Sequence, residues 1–444
     1  MLKTFAKGGV HPPENKISAH QKLEKLPLPK TVFIPISQHI GAPAVPVVEK
    51  NSEVKTGQVI AKSGGFVSAN IHSSVTGKVI KIDDVLDSTG YKQKCIVIES
   101  TGDEWVEGVD LTDTLVTEIN DSPEEIINKI NAAGIVGLGG ATFPSHVKLS
   151  VPKDKKVNVL IINAVECEPY LTSDHQIMLE KADEIMVGIQ ILKKALNVTK
   201  ALIGIENNKP DAIEHFTSIA ANYEGIEVFG LKVKYPQGGE KQLIKALINR
   251  EVPSLKLPLD VGTVVHNVGT AFAVYQAVQK NKPLVERVVT VTGKSVRKPS
   301  NFITRIGTPV NELIEAAGGL PEDTGKVING GPMMGKAINS LEIPVTKGTS
   351  GILIIPEEES SRRPVQNCIR CAKCVSVCPM GLEPFLLMTL SEKRMWEREE
   401  KERVLDCMEC GSCSYICPSD RPLLDYIRLG KSSVNKIIRS RNKK

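Results

Sequence analysis

The chain has 444 residues, room for roughly two to four domains, and its 41% hydrophobic and 24% charged content is that of a well-packed globular protein. Its net charge of +5, from 56 basic and 51 acidic residues, is too weak to argue for nucleic acid as a partner. No apolar run is long enough to span a membrane, and residues 1–16 have lysines without the apolar core of a leader, so the expected compartment is the cytosol.

Residues 1–30 open with Lys7-Gly8-Gly9-Val10-His11-Pro12-Pro13 and read as an extended arm. Residues 31–105 alternate short β-rich runs (32–36, 57–61, 65–69 and 77–82) with turns of Gly, Pro, Ser or Asn. The stretch 54–61, followed by 72–79, resembles the lipoyl/biotinyl type of barrel-sandwich. That family modifies a lysine on an exposed hairpin. The hairpin near Ser68-Ala69-Asn70 has no lysine, so this unit reads as a structural or docking module.

Residues 106–265 alternate helical and strand patterns, as α/β domains do. Ser122-Pro123-Glu124-Glu125 supplies a cap, a first-turn proline and two acids, with Ile126, Ile127, Ile130 and Ala133 on one face. Strands are predicted over 157–163, 201–205 and 227–233, and helices over 179–196 and 211–222. After the first helix comes Gly134-Ile135-Val136-Gly137-Leu138-Gly139-Gly140-Ala141-Thr142-Phe143-Pro144. Glycines this dense let backbone N–H groups approach an anion, although a plain tight turn is the commoner reading. The run follows a helical pattern, not a strand, and so is not a Rossmann fingerprint. Asn163-Ala164-Val165-Glu166-Cys167-Glu168-Pro169 sits just past a buried strand, where α/β sheets present ligand-binding loops. Tyr235-Pro236-Gln237-Gly238-Gly239-Glu240 and Val265-His266-Asn267-Val268-Gly269-Thr270 are further glycine-rich turns ahead of helices. Cys95 and Cys167 have no partner at metal-ligand spacing and read as structural thiols.

Residues 266–358 turn β-rich, with strands over 288–293, 302–307 and 351–356 and a helix over 310–317 ended by Gly318-Gly319. This is a small α+β unit, β-grasp-like, in which 330–335 is a turn. Residues 359–432 hold eight of the ten cysteines. Cys368, Cys371, Cys374 and Cys378-Pro379 form a C-x2-C-x2-C-x3-C-P run, and Cys407, Cys410, Cys413 and Cys417-Pro418 repeat it. The first three thiolates of each run can close round one face of a cubane, while the fourth turns to the other cluster. One [4Fe–4S] cluster is therefore assigned to Cys368, Cys371, Cys374 and Cys417, the other to Cys407, Cys410, Cys413 and Cys378. Zinc sites rarely use two proline-closed runs of four, and disulfides need an oxidising compartment. A helical hairpin is predicted over 382–404, between the runs. Residues 433–444 form a basic tail with Lys436, Arg439, Arg441, Lys443 and Lys444, read as a frayed terminus ahead of an anionic-lipid contact.

Taken together, Gly137-x-Gly139-Gly140-Ala141-x-Phe143-Pro144, Asn163-x-x-Glu166-x-Glu168-Pro169, the Tyr235…Gly238…Glu240 turn and Asn267-Val268-x-Thr270 resemble the flavin- and NADH-binding subunit of respiratory complex I. The whole chain is closer still to the RnfC family of the Rnf electron-transport complexes. It shares that family's Gly8-Gly9-x-His11-Pro12-Pro13-Glu14-Asn15-Lys16, its Ser37-Gln38-His39-Ile40-Gly41 turn, the barrel-sandwich and the doubled cysteine run. The resemblance implies a peripheral subunit at the cytoplasmic face of the cell membrane, with FMN, two [4Fe–4S] clusters and NAD(H) as substrate. Its implied partners are integral-membrane and ferredoxin-type subunits of an ion-translocating ferredoxin:NAD oxidoreductase.

Carried over by motif, Gly137, Gly139, Gly140 and Lys148 hold the FMN phosphate side. Asn163, Tyr235, Gly238, Asn267 and Thr270 line the flavin. Phe143 stacks on the dinucleotide, and Glu166 and Glu240 face its polar groups. Thr142, Val165 and His266 depart from the complex I pattern, which bears on the NADH contacts. Glu166 and Glu240 also read as helix-start carboxylates. No side chain is expected to be a nucleophile or general acid. Two other readings are a flavin/iron–sulfur corrin reductase, disfavoured by the N-terminal place of the barrel-sandwich, and a non-enzymatic electron-wire or scaffold subunit.

Overall fold

A computed structural model describes residues 2–441, and four sheets organise them. The first two build the barrel-sandwich. One sheet orders Thr31–Pro35, Lys92–Gly102, Thr76–Leu86 and Glu53–Val54; the other orders Val45–Pro46, Val59–Lys62 and Ile71–His72. Val32, Ile34, Ile60, Ile71, Val79, Ile96 and Ile98 fill the space between. The strand expected over 65–69 does not form. Side chains take over its backbone groups: Ser63 Oγ donates to the Gly65 carbonyl at 2.8 Å, and His39 Nε2 accepts the Ala69 N–H at 3.0 Å. Side-chain bonds of this kind compete directly with a ladder.

The third sheet is parallel and four-stranded: Ile226–Leu231, Ala201–Glu206, Val159–Asn163 and Thr263–Asn267, in that spatial order. The first three strands in sequence step outward one way, and the fourth returns to the other side of the first. This reversal opens a crevice between Val159–Asn163 and Thr263–Asn267 at their C-terminal ends, where Asn163 and Asn267 lie in register. Thr263–Asn267 and the helix after it, Val268–Gln279, belong to this unit, so the expected division at 265/266 falls inside a strand. That strand closes one edge of the sheet, and its apolar residues Val264 and Val265 are both buried. Helix Val268–Gln279 lies against Ala182–Leu196 so closely that a Cβ on Gly188 would overlap the Ala271 carbonyl oxygen. The helix expected over 179–196 is two, Ser173–Glu180 and Ala182–Leu196, broken at Lys181 with φ −131°.

The fourth sheet is mixed and packs on helix Val310–Ala316 through Val289, Phe302, Leu313 and Ile352. Its edge strand, Leu23–Lys25, comes from the N-terminal arm and pairs in parallel with Ser300–Arg305. The arm is thus tied down along its length. Lys3 bridges Leu231, Val10 bridges Tyr235, and Lys16 Nζ donates to the carbonyls of Glu166, Glu168 and Leu171.

The C-terminal region is helical, and the predicted hairpin appears as Pro384–Glu392 and Trp396–Lys401. The expected basic tail is instead the end of helix Leu423–Arg441. Val434 and Ile438 hold that helix to a core with Leu387 and Trp396, and Arg441 pairs with Glu400 at 2.8 Å. Lys443 and Lys444 lie outside the described residues. No described helix is long and apolar enough to cross a membrane.

Candidate functional site

The glycine run closes on itself beside the crevice. Gly137 N–H donates to the Phe143 carbonyl at 2.9 Å, and Val136 bridges Pro144. Leu138 N–H donates to Thr270 Oγ1 at 2.9 Å, which ties the loop to the first turn of helix Val268–Gln279. Asn267 caps that helix: its Oδ1 accepts the Thr270 N–H at 3.2 Å while its Nδ2 donates to Asp174 at 2.6 Å. Gly139 lies against the Asn267 side chain. Gly140 has φ +102° with open space where a Cβ would stand, so only glycine suits it. Asn163 Nδ2 donates to the Gly238 carbonyl at 2.8 Å. Gly137, Gly139, Gly140, Asn163, Gly238, Asn267 and Thr270 therefore gather at one place. An exposed glycine loop laid on a helix N-terminus favours an anion through free N–H groups and the helix dipole. That donor set fits a flavin phosphate.

Lys148 lies at the same strand end, with Nζ 3.0 Å from the Val265 carbonyl and 2.7 Å from Glu240. Glu240 also opens helix Glu240–Ile248, the helix-start role. Phe143 is half-buried on the glycine loop. Glu166, expected at the dinucleotide, is otherwise engaged. Its carboxylate accepts the N–H groups of Asp174 at 2.7 Å and His175 at 3.2 Å, capping helix Ser173–Glu180. Tyr235, expected to line the flavin, is buried and turned to the cysteine region: its hydroxyl donates to the Cys410 carbonyl at 2.8 Å and lies 3.2 Å from Glu168. Of the departures, His266 is buried with Nε2 unpartnered among the described residues, and burial beside Lys148 lowers its pKa to about 3.

Sequence reasoning gave no role to three groups here, half-buried Glu168 and buried Arg287 and Lys347. Glu168 accepts the N–H groups of Met333 at 3.1 Å and Met334 at 2.8 Å; burial raises its pKa. Arg287 reaches the Leu138 carbonyl at 3.3 Å and the Thr349 carbonyl at 3.1 Å, and burial lowers its pKa to about 10. Lys347 donates to the carbonyls of Gly134 at 2.7 Å and Asn70 at 2.8 Å. Both cations act on carbonyls far away in sequence, so no local pattern announces them.

The cysteines divide by burial. Cys378, Cys407, Cys410 and Cys413 line one cavity with Met380, Leu387, Met408, Leu424 and Ile427. Cys378 reaches the second run because the chain turns back after helix Lys373–Ser376. Cys378, Cys410 and Cys413 are buried, Cys374, Cys407 and Cys417 half-buried, and Cys368 and Cys371 exposed. The four thiols line a shared void, which suits a cluster wider than one ion. Sulfur donors in apolar surroundings are the ligand type of iron–sulfur clusters, so this set fits. Cys95 lies apart, buried in the barrel-sandwich, where desolvation pushes its thiol up to about 12; Cys167 Sγ accepts the Gly238 N–H at 3.3 Å.

An α/β crevice whose donors fit a flavin phosphate, joined to a thiol-lined helical unit, is the layout of a flavin–iron–sulfur electron-transfer protein. Four known domain families match successive parts of the chain. Residues 4–103 match the RnfC barrel sandwich hybrid domain, 130–276 the Nuo51 FMN-binding domain, 288–337 the SLBB domain and 361–418 a 4Fe-4S dicluster domain. The C subunit of the proton-translocating ferredoxin:NAD(+) oxidoreductase complex of Clostridium ljungdahlii is 51% identical over 97% of this chain and 94% of its own. Its counterpart in the Na(+)-translocating complex of Acetobacterium woodii is 44% identical over 96% of each. That of the ion-translocating oxidoreductase complex of Rhodobacter capsulatus is 43% identical over 87% of this chain and 75% of its own. The chain belongs to the RnfC family, the C subunits of the Rnf, ion-translocating ferredoxin:NAD(+) oxidoreductase, complexes.

Proposed function

We propose that this chain is the NAD(H)- and FMN-binding, two-[4Fe–4S] subunit of an ion-translocating ferredoxin:NAD oxidoreductase, and passes electrons between NAD(H) and the other subunits. Bound FMN supplies the exchange between a two-electron hydride and single electrons. The chain's own residues supply position. Gly137, Gly139, Gly140 and Lys148 hold the phosphate side. Asn163, Gly238, Asn267 and Thr270 shape the crevice, and Phe143 faces the dinucleotide. Glu240 sets the charge beside Lys148, while Glu166 keeps the crevice in shape by capping its helix. Four thiols, of Cys378, Cys407, Cys410 and Cys413, hold one cluster; those of Cys368, Cys371, Cys374 and Cys417 hold the other.

The observation that carries this reading is the contact between crevice and cysteine cavity. Tyr235 meets Cys410, a Cβ on Gly239 would meet Met408 Cε at 2.6 Å, and Gln242 Nε2 lies 3.4 Å from the Pro379 carbonyl. The inner cluster of Cys378 and the second run is therefore the one beside the flavin, and the other is distal. As a peripheral subunit on the cytoplasmic face of the membrane, the chain is held there by integral and ferredoxin-type partners.

The test is an anaerobic NADH titration of the chain reconstituted with iron, sulfide and FMN. Bleaching of the flavin band followed by cluster reduction is expected. Iron–sulfur absorption without any flavin that NADH can bleach would leave only the electron-wire reading.

A further inference from the structure

Every residue from 361 to 373 is exposed, including Cys368 and Cys371, whereas Cys378, Cys410 and Cys413 are buried. The contrast lies within one domain and between two copies of one motif, so it reflects where each run sits. The segment is anchored at both sides of its start: Gln366 N–H donates to the Ser419 carbonyl at 3.0 Å, and Arg362 pairs with Asp425 on helix Leu423–Arg441. Its charge is one-sided. Between 361 and 382 stand Arg362, Arg363, Arg370 and Lys373 with no acid at all, in a chain whose 56 basic and 51 acidic residues nearly balance. Among the described residues Arg363, Arg370 and Lys373 make no ion pair. Two apolar side chains, Val365 at 54% and Ile369 at 67% exposure, stand among them. The second run is treated differently: its one acid, Glu409, is neutralised by Arg428 at 3.1 Å and Lys431 at 2.9 Å.

We propose that segment 361–373 is a docking face for the acidic surface of an iron–sulfur carrier protein, and that electrons cross at the Cys368–Cys371 edge. The proposal rests on the relay reading above, and names the surface at which the relay meets its partner. Each encounter moves one electron: the carrier is oxidised and the distal cluster reduced, with no bond or proton exchanged. Unpaired cations round an apolar patch suit this use. They attract an acidic partner from a distance and orient it, while the small apolar contact lets it leave.

The experiment uses the full chain loaded with FMN, iron and sulfide, and a chemically reduced acidic two-cluster ferredoxin as probe. In the wild type the rate of cluster reduction by this ferredoxin should fall steeply as salt is raised, because exposed charges are screened beyond about 10 Å at 0.1 M. The R363E/K373E variant should lose about tenfold in that rate at low salt and nearly all of its salt dependence. Its NADH-dependent reduction of basic cytochrome c should rise. Flavin bleaching by NADH should not change, which reports an intact fold. Equal ferredoxin rates in wild type and variant overturn the proposal. So does wild-type binding to phosphatidylglycerol vesicles that the variant loses with its ferredoxin rate unaltered, which would make the segment a membrane contact. Ferredoxin enters without NADH, so a failed NADH step sinks the relay reading and leaves the docking result readable.

Discussion

Single residues carry the cluster assignment. Spacing alone sends the fourth cysteine of each run to the other cluster, and the cavity that joins Cys378 to Cys407, Cys410 and Cys413 has the arrangement this requires. If the ligation is crossed, Cys378→Ser and Cys407→Ser should damage the same cluster and give matching low-temperature electron paramagnetic resonance spectra. Cys417→Ser should match Cys368→Ser. The opposite pairing, with Cys378 grouped with Cys368, would mean that each run holds its own cluster. The cysteine runs stand out in the sequence because metal ligation calls for short, regular spacing. Tyr235 and Glu166 stand out less. A tyrosine or a carboxylate beside a crevice can turn to either side, and here Tyr235 meets Cys410 while Glu166 caps Ser173–Glu180. Sequence places such a residue at the site without saying which way it faces.

At the scale of elements, the α/β alternation was readable because the buried strands are near-continuous apolar runs and the first helix has a full capping box at Ser122. What escaped depends on partners distant in sequence. Leu23–Lys25 becomes a strand only because Ser300–Arg305 offers an edge, and 65–69 fails to become one because His39 and Ser63 take its backbone groups. The closeness of two helices is equally non-local, and it has a consequence for the site. Gly188 lets Ala182–Leu196 approach Val268–Gln279, whose first turn holds the glycine loop through Thr270. Gly188→Val must push that helix outward. Overpacking of this kind is expected to cost about 1–3 kcal/mol in urea unfolding, and to raise the FMN dissociation constant by displacing Thr270. Loss of stability with unchanged FMN affinity would separate the helix contact from the loop.

Across the whole molecule, Lys347 joins three units with one side chain. It projects from the α+β unit and donates to Asn70 of the barrel-sandwich and to Gly134 at the end of helix Pro123–Ala132, just ahead of the glycine loop. Burial, with no carboxylate in contact among the described residues, lowers its pKa to about 7. A neutral amine still has two protons for the two carbonyls, so the junction needs the lysine's hydrogen bonds and not its charge. The unfolded chain holds that proton up to the ordinary lysine value of 10.5, so between about 7 and 10.5 the unfolded state binds more protons and stability rises with pH. Below about 7 both states are charged and the slope ends. Lys16, lowered to about 8 chiefly by burial, adds a slope of the same sign from about 8 upward, and His39, lowered to about 4, acts only below its ordinary 6.5. Comparing wild type with Lys347→Met isolates the one group. Wild type should gain on the order of a few kcal/mol relative to the variant from pH 7 to 10, read as a widening gap in unfolding midpoints. The variant, with two carbonyls left unmet, should be the less stable protein throughout that range. A gap that stays constant with pH would show that Lys347 keeps its proton, and that its charge is balanced by water or by a neighbouring protein at this junction.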